Sequence, residues 1–382
     1  MKLSNRVTSR KLKNNILKDI QKKVEPMYAD ILHNIKYTSH KEVYLPKIDI
    51  KRYFNISDDM YNLDSVKYSN EIGQFLISNN VHAYNGIISR FTPLSIIKTI
   101  LNKHNTKTSY EFSYKTNKIN IIVFSRKTPI LLDLLNKAIK SLLFLEIFGF
   151  KNKEIKVEYY PTESIKKLDK NSDYIGISSV NSGFTTFKIF PEITIFRKEE
   201  SDKVLIHEMV HLLELDFALD DNTEISNIIL NDININKEAQ FINFFEAYTD
   251  SIAIIFNSIF NCIITKTDIG SYFMQELLYL EDTVINILDV FDIKSIKELF
   301  RSKGSNMLIQ KTSVLSYYIL KYGLLLRTDL LLERFQPGIK WNSLNIEELY
   351  RLSINNLNKN PLNHNGVNHD SMRMSYNQLV YK

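Results

Sequence analysis

The 382-residue sequence predicts an α+β chain: a small mixed sheet packed on one distinctive helix, followed by a mostly helical lobe. Three observations predict it. Short stretches within 110–125 and 155–197 are rich in β-branched and aromatic residues and are bounded by turn residues. Residues 128–148 and 201–216 instead carry apolar side chains at helical spacing. From 217 onward the helical period dominates. The chain therefore reads as a mostly helical region (1–108), a sheet with its helix (109–216) and a helical lobe with a C-terminal tail (217–382).

Residues 9–36 place Ile16, Ile20, Val24 and Met27 at helical spacing, with Pro26 set to interrupt or kink the helix. Residues 44–108 are mixed and mostly helical, with turn signals at "NISDD" and "YNG". "YEFSYKTNKINIIVFS" (110–125) reads as two strands around the turn "KTNK". "TPILLDLLNKAIKSLLFLEIF" (128–148) reads as a helix with Thr128 at its N-cap and Pro129 at its first position. "IKVEYYP" (155–161), "YIGISSVNSGFTTFKIF" (174–190) and "EITIFR" (192–197) read as strands. "SDKVLIHEMVHLLELD" (201–216) is a helix capped by Ser201. Further helices fall at 223–231, 237–264, 271–290, 294–302, 311–326 and 346–357. No repeat or low-complexity tract interrupts this order.

Composition narrows the function classes. Hydrophobic content of 44% and charged content of 24% suit a folded chain with a core. The single cysteine, Cys262, rules out an intrachain disulfide framework and a Cys-type zinc site, and points to a reducing, intracellular compartment. "MKLSNRVTSRKLKNN" lacks the apolar stretch of a signal peptide. The most apolar segment, "SIAIIFNSIFNCIITK" (251–266), is short, holds Asn257 and Asn261 and follows Glu246 and Asp250, so it reads as a buried helix with no membrane role. The net charge of +6 owes much to Lys2–Lys23, but Asp19 and Glu25 are interspersed, which reads as a solvated helix face rather than a nucleic-acid arm.

"LIHEMVHL" (205–212) carries the chemistry. His207 and His211, four apart on a helix, can aim two imidazoles at one point, while Glu208 is rotated by one residue step and flanks that point. Two ligands and a general base need this spacing. A chance H-E-x-x-H in a chain with this many histidines is roughly a one-in-a-hundred event, so the motif alone is suggestive and its flanks matter. Leu205, Ile206, Met209, Val210 and Leu212 would bury the helix around the polar trio.

A catalytic zinc needs a third protein ligand and an open position. Asp216, His364 and His369 are candidates, whereas the extended pattern with a histidine at 217 fails, because Phe217 stands there. "FFEAYTDSIA" (244–253) serves better. Glu246 can ligate from a facing helix, and Asp250, one turn on, can accept the far N–H of His207 and fix its tautomer. In apolar surroundings these two carboxylates need such partners. A helix starting near 237 would set Glu246 well inside it rather than in a solvated first turn.

H-E-x-x-H on one helix followed by E-x-x-x-D on another resembles the gluzincin, or thermolysin-like, zinc metallopeptidases. The resemblance implies one Zn²⁺ held by His207, His211 and Glu246, Glu208 as general base, Asp250 as an outer acid and a zincin-like fold. "VNSGFTTF…EITIFRKEESDKVLIHEMVHLLELDF" (180–217) is also similar to metallopeptidases encoded by large DNA viruses, which implies a host-cytoplasmic or virion location.

The expected activity is peptide-bond hydrolysis, with Glu208 taking a proton from water and passing it to the leaving amine. Tyr317, Tyr318, His369 and Arg373 are candidates to assist the developing oxyanion or contact substrate. An edge strand within 180–187 or 192–196 would pair with a peptide substrate, and Gly183 would admit its backbone. Glu199 and Glu200 read as solvated residues before the helix. The alternative is a non-catalytic, metal-stabilised structural or nucleic-acid-binding protein acting through Lys2–Lys23.

Overall fold

The computed structural model describes residues 2–40, 42–49, 66–79, 81–126, 130–186, 192–235, 242–301, 307–335, 343–362 and 369–376. The chain is α+β and divides into two compact units. A sheet unit is built chiefly from Pro26–Lys166 and Ile177–Leu212, and a helical unit from Met1–Glu25, Lys167–Gly176 and Leu213–Gln378.

The first helix, α1 (Lys2–Asn34), continues past Pro26 instead of stopping there. An internal proline costs about 3 kcal/mol through a lost hydrogen bond and crowding of the preceding turn. Burial of Leu17, Val24 and Ile31, spaced seven apart, offsets that cost.

The sheet unit has seven strands, a larger sheet than the sequence suggests. They are β1 (Lys36–Ser39), β2 (Val43–Tyr44), β3 (Thr106–Tyr114), β4 (Asn117–Ser125), β5 (Glu154–Tyr159), β6 (Gly183–Thr186) and β7 (Glu192–Ile195). The order is β1-β3-β4-β5-β7-β6, with β2 also on β3. β4, β5 and β7 run parallel, and the other pairs are antiparallel. β3 and β4 form the hairpin the sequence announces, turning at Lys115, whose φ of 51° is left-handed. The region 174–190 is a correction. Ile177–Val180 is a helical turn, α5, and among the described residues of this region the strand is Gly183–Thr186. The turn is held by Arg197, fully buried, which donates from Nε to the carbonyl of Asn181 at 2.9 Å and from Nη2 to that of Ser178.

Side chains alternate across the sheet with the strand period. On β3 the even positions Thr106 to Tyr114 are buried and the odd ones are half-exposed. The buried face packs on α4 (Leu131–Ile147) and α6 (Ser201–Leu212). Thr128 and Pro129, expected to start α4, lie outside the described residues. The other face is covered at one end by α2 (Val66–Ser78), a 3₁₀ turn (His82–Ile87) and α3 (Leu94–Lys103). Their Ile72, Leu76, Tyr84 and Ile97 form a core with Phe124, Tyr160, Phe184 and Phe196.

The helical unit holds α7 (Thr223–Asp232), α8 (Phe244–Thr265), α9 (Ile269–Val290), α10 (Ile296–Arg301), α11 (Lys321–Leu325), α12 (Thr328–Arg334) and α13 (Ser343–Lys359). A π-helical turn, Leu315–Leu320, leads into α11. α8 is the core of this unit and packs on α9, the π turn and α11. Among the described residues it is the one helix long and apolar enough to cross a membrane, and 94% of its most apolar window is buried within the protein. α11 crosses α13 closely at Gly323, where a Cβ would sit 2.6 Å from the carbonyl oxygen of Ser353.

Candidate metal centre

In the sheet unit, α6 is buried on nearly every side, from Lys203 to His211. The motif's polar trio is therefore also inside: His207 and Glu208 are 5% exposed and His211 8%. The two Nε2 atoms lie 3.1 Å apart, with the rings edge-on at 81°. Two nitrogens bound tetrahedrally to one zinc at 2.0–2.1 Å would stand about 3.3 Å apart. The spacing is close to that of two nitrogens sharing one metal.

Glu208 faces a different neighbour. Thr185 Oγ1 on β6 lies 2.9 Å from Glu208 Oε2 and 3.0 Å from its carbonyl oxygen, within donating reach of either. Thr185 carries no sequence signal of its own, since a threonine in a short strand is ordinary.

Gly183, two residues before Thr185 on β6, is closely packed. A Cβ there would sit 2.8 Å from both the Thr194 carbonyl oxygen and Val204 Cγ1. Gly183→Ala is expected to destabilise the sheet unit by ~1–3 kcal/mol through overpacking against α6. Urea denaturation checks this, and an unchanged midpoint would contradict it.

The start of α6 is anchored by buried charge. Ser201 is its first residue rather than its cap. Asp202, in the first turn, receives Lys137 at 2.9 Å and Lys140 at 2.5 Å from α4. Lys137 also reaches Asp133 at 2.6 Å and lies 5.0 Å from the Tyr159 ring centroid. Burial alone would raise the Asp202 carboxyl, but the two ammonium groups override it and hold it well below the usual carboxylate range. Just before the helix, Glu200 is buried against Lys166 at 3.0 Å, and Glu199 accepts the Lys166 backbone N–H at 2.7 Å. Neither is the solvated residue the sequence suggests.

In the helical unit, α8 begins at Phe244 with Asn243 as its N-cap, later than the pattern near 237 implies. Glu246 therefore sits in the first turn, where the helix N-terminus favours a carboxylate. The chain just beyond α6 docks on α8: Thr249 Oγ1 donates to Asp216 Oδ2 at 2.5 Å, and Phe217 packs on Phe244 and Tyr248. Asp216 is thus engaged in the turn that leaves α6. Asp250 and Lys321 form an ion pair at 2.7 Å with both side chains fully buried, and Lys321 also donates to the Met374 carbonyl at 3.2 Å.

His207, His211 and Glu246 form a group that could hold a metal ion: one ligand atom from each lies within 4.8 Å of the others. The remaining candidates make contacts of their own. Tyr318 is buried and donates to the Met372 carbonyl at 2.6 Å, and Tyr317 is half-buried on the π turn. His369 stacks on Tyr279 at 4.8 Å and Arg373 lies 5.5 Å from that ring's centroid, so both pack on α9. His364 lies outside the described residues.

These features define a mixed α+β chain with a possible metal-binding triad. The chain is 28% identical over 212 residues to an uncharacterized protein of Acanthamoeba polyphaga mimivirus, an alignment covering 52% of this chain and 51% of that protein. The chain spans about half the length of the curated viral relative it matches. No family model matches the sequence. No solved structure matches it.

Proposed function

We propose that the chain is a zinc-dependent peptidase with a gluzincin-like site on a zincin-like fold. The observation that carries the reading is the triad His207, His211 and Glu246, with Glu208 beside it on the same buried helix. The donor set, two neutral imidazoles and a carboxylate, is that of a catalytic zinc site, and a purely structural site would fill its fourth position with protein. A zinc ion held there would polarise a substrate carbonyl and lower the pKa of a water to about 7.

The chain's own residues do the rest. Glu208 accepts a proton from the attacking water and delivers it to the leaving amine. Thr185 orients the Glu208 carboxylate through its hydroxyl. In this reading Asp250, its charge balanced by Lys321, would be the outer acid that fixes the ligating tautomer of His207. β6 ends the sheet order and offers its edge to a substrate backbone.

Protein purified without added zinc is expected to carry about one equivalent of the metal, and His207→Ala to carry almost none. Elemental analysis decides it. A zinc-free wild type, or undiminished zinc in His207→Ala, would sink the proposal.

A further inference from the structure

The face of the sheet turned away from α4 and α6 is covered at one end and open at the other. The open part is a groove of about 1180 Å³. Strand register lays out its floor. Glu111 on β3 pairs with Asn120 on β4, Asn120 with Lys156 on β5, Lys156 with Glu192 on β7, and Glu192 with Thr186 on β6. One polar row thus crosses five strands. At ~4.8 Å per strand the row spans ~19 Å. That is the length of about six extended residues.

The charge on this floor is one-sided. Glu111, Glu154 and Glu192 line the groove, and Lys156 is the one lysine among the described lining residues. Lys156 is already held by Glu192 at 2.6 Å and by Glu158 at 3.1 Å. Lys118 approaches Glu111 at 3.7 Å, and among the described residues Glu154 accepts from a neutral amide, that of Asn120, at 2.7 Å. A concave surface with surplus charge of one sign focuses its field and concentrates the opposite charge. Here that surplus is negative, in a chain whose net charge is +6. Phe91 and Phe184, their rings 6.1 Å apart, also line the groove, with Arg90 of the chain itself 4.8 Å over the Phe91 ring, and add apolar wall for the aliphatic stems of long side chains. At its β6 end the lining includes Thr185, whose hydroxyl reaches the Glu208 carboxylate.

We propose that this groove binds a lysine- or arginine-rich stretch of extended polypeptide, so that the site's substrate class is a basic protein segment. The assignment to substrate rests on the reading of Glu208 as general base, whereas the binding itself does not. Backbone shape sets the fit, and the row Glu111–Asn120–Lys156–Glu192 with Glu154 beside it selects the charge.

The test uses the full chain carrying Glu208→Gln, so that bound peptide is not consumed. Fluorescein-labelled hexa-arginine and hexa-glutamate are titrated by anisotropy, with and without a zinc chelator. Hexa-arginine is expected to bind in both conditions, more weakly as salt rises, and hexa-glutamate not to bind. Glu111→Gln with Glu154→Gln is expected to weaken hexa-arginine binding about tenfold or more. Glu111→Lys alone gives a second readout at a half-exposed position. Equal binding of the two peptides, or hexa-arginine affinity unchanged in these variants, overturns the proposal. So does a change of self-association in sedimentation with peptide binding unchanged, which would assign the groove to a second copy of the chain. Hexa-arginine bound but no basic protein cut by the zinc-loaded wild type would keep the groove as a binding site and remove its substrate role. Cleavage of peptides without preference for basic ones would keep the peptidase and overturn the groove.

Discussion

Glu208→Gln is expected to retain zinc and fold while losing about 10²–10⁴-fold in peptide hydrolysis, the range a general base contributes. Glutamine matches glutamate in shape and can still accept from Thr185 Oγ1, so the 2.9 Å contact that orients the side chain survives. What it cannot do is take a proton from water at neutral pH. Glu208 is outside the triad His207, His211 and Glu246, so metal content should not change. Zinc stoichiometry and cleavage of an unstructured protein, measured on the same preparation, give a result that simple unfolding would not mimic. Full activity in the variant would remove Glu208 from the mechanism.

The second large effect concerns the anchor of α6. Asp202→Asn is expected to destabilise the sheet unit by ~3–5 kcal/mol, because it removes the carboxylate that the buried Lys137 and Lys140 share. The pH dependence has a defined sign. The folded-state pKa of Asp202 is depressed by the two lysines against the opposing effect of burial. Its stabilisation is therefore complete above the unfolded carboxylate pKa of about 3.9 and is lost as pH falls through the folded value. The gap between wild type and Asp202→Asn in urea unfolding should be full at neutral pH and narrow progressively below about pH 4. A gap constant down to about pH 3 would contradict the assignment.

How far the sequence could be read depended on how local each signal was. The β3–β4 hairpin was legible because its burial alternates along each strand. The pairing of His207 with His211 was legible because one helical turn sets it. β1 and β2 were missed: they are short, exposed along their length and held mainly by backbone pairing with β3. The strand expected over 174–190 was overridden by Arg197, whose guanidinium gathers carbonyls from the turn at 178–181. Lys137 and Lys140, set in an apolar helix, were a visible oddity, but their partner Asp202 lies more than sixty residues away. Glu246 was singled out by spacing, although its place in the first turn of α8 was not legible.

Lys321 changes what metal loss would mean for the helical unit. Asp250 is a fully buried carboxylate in α8, and left alone it would favour opening the core to water. Its charge is matched inside the protein by an ammonium that also ties down the carbonyl of Met374 in the tail. α8 therefore carries its internal charge balance at Asp250 independently of any ion at its first turn, where Glu246 sits. If an ion is held at Glu246 as proposed, its removal is expected to leave the Asp250–Lys321 pair in place, so that stripping and reloading it need not pass through unfolding.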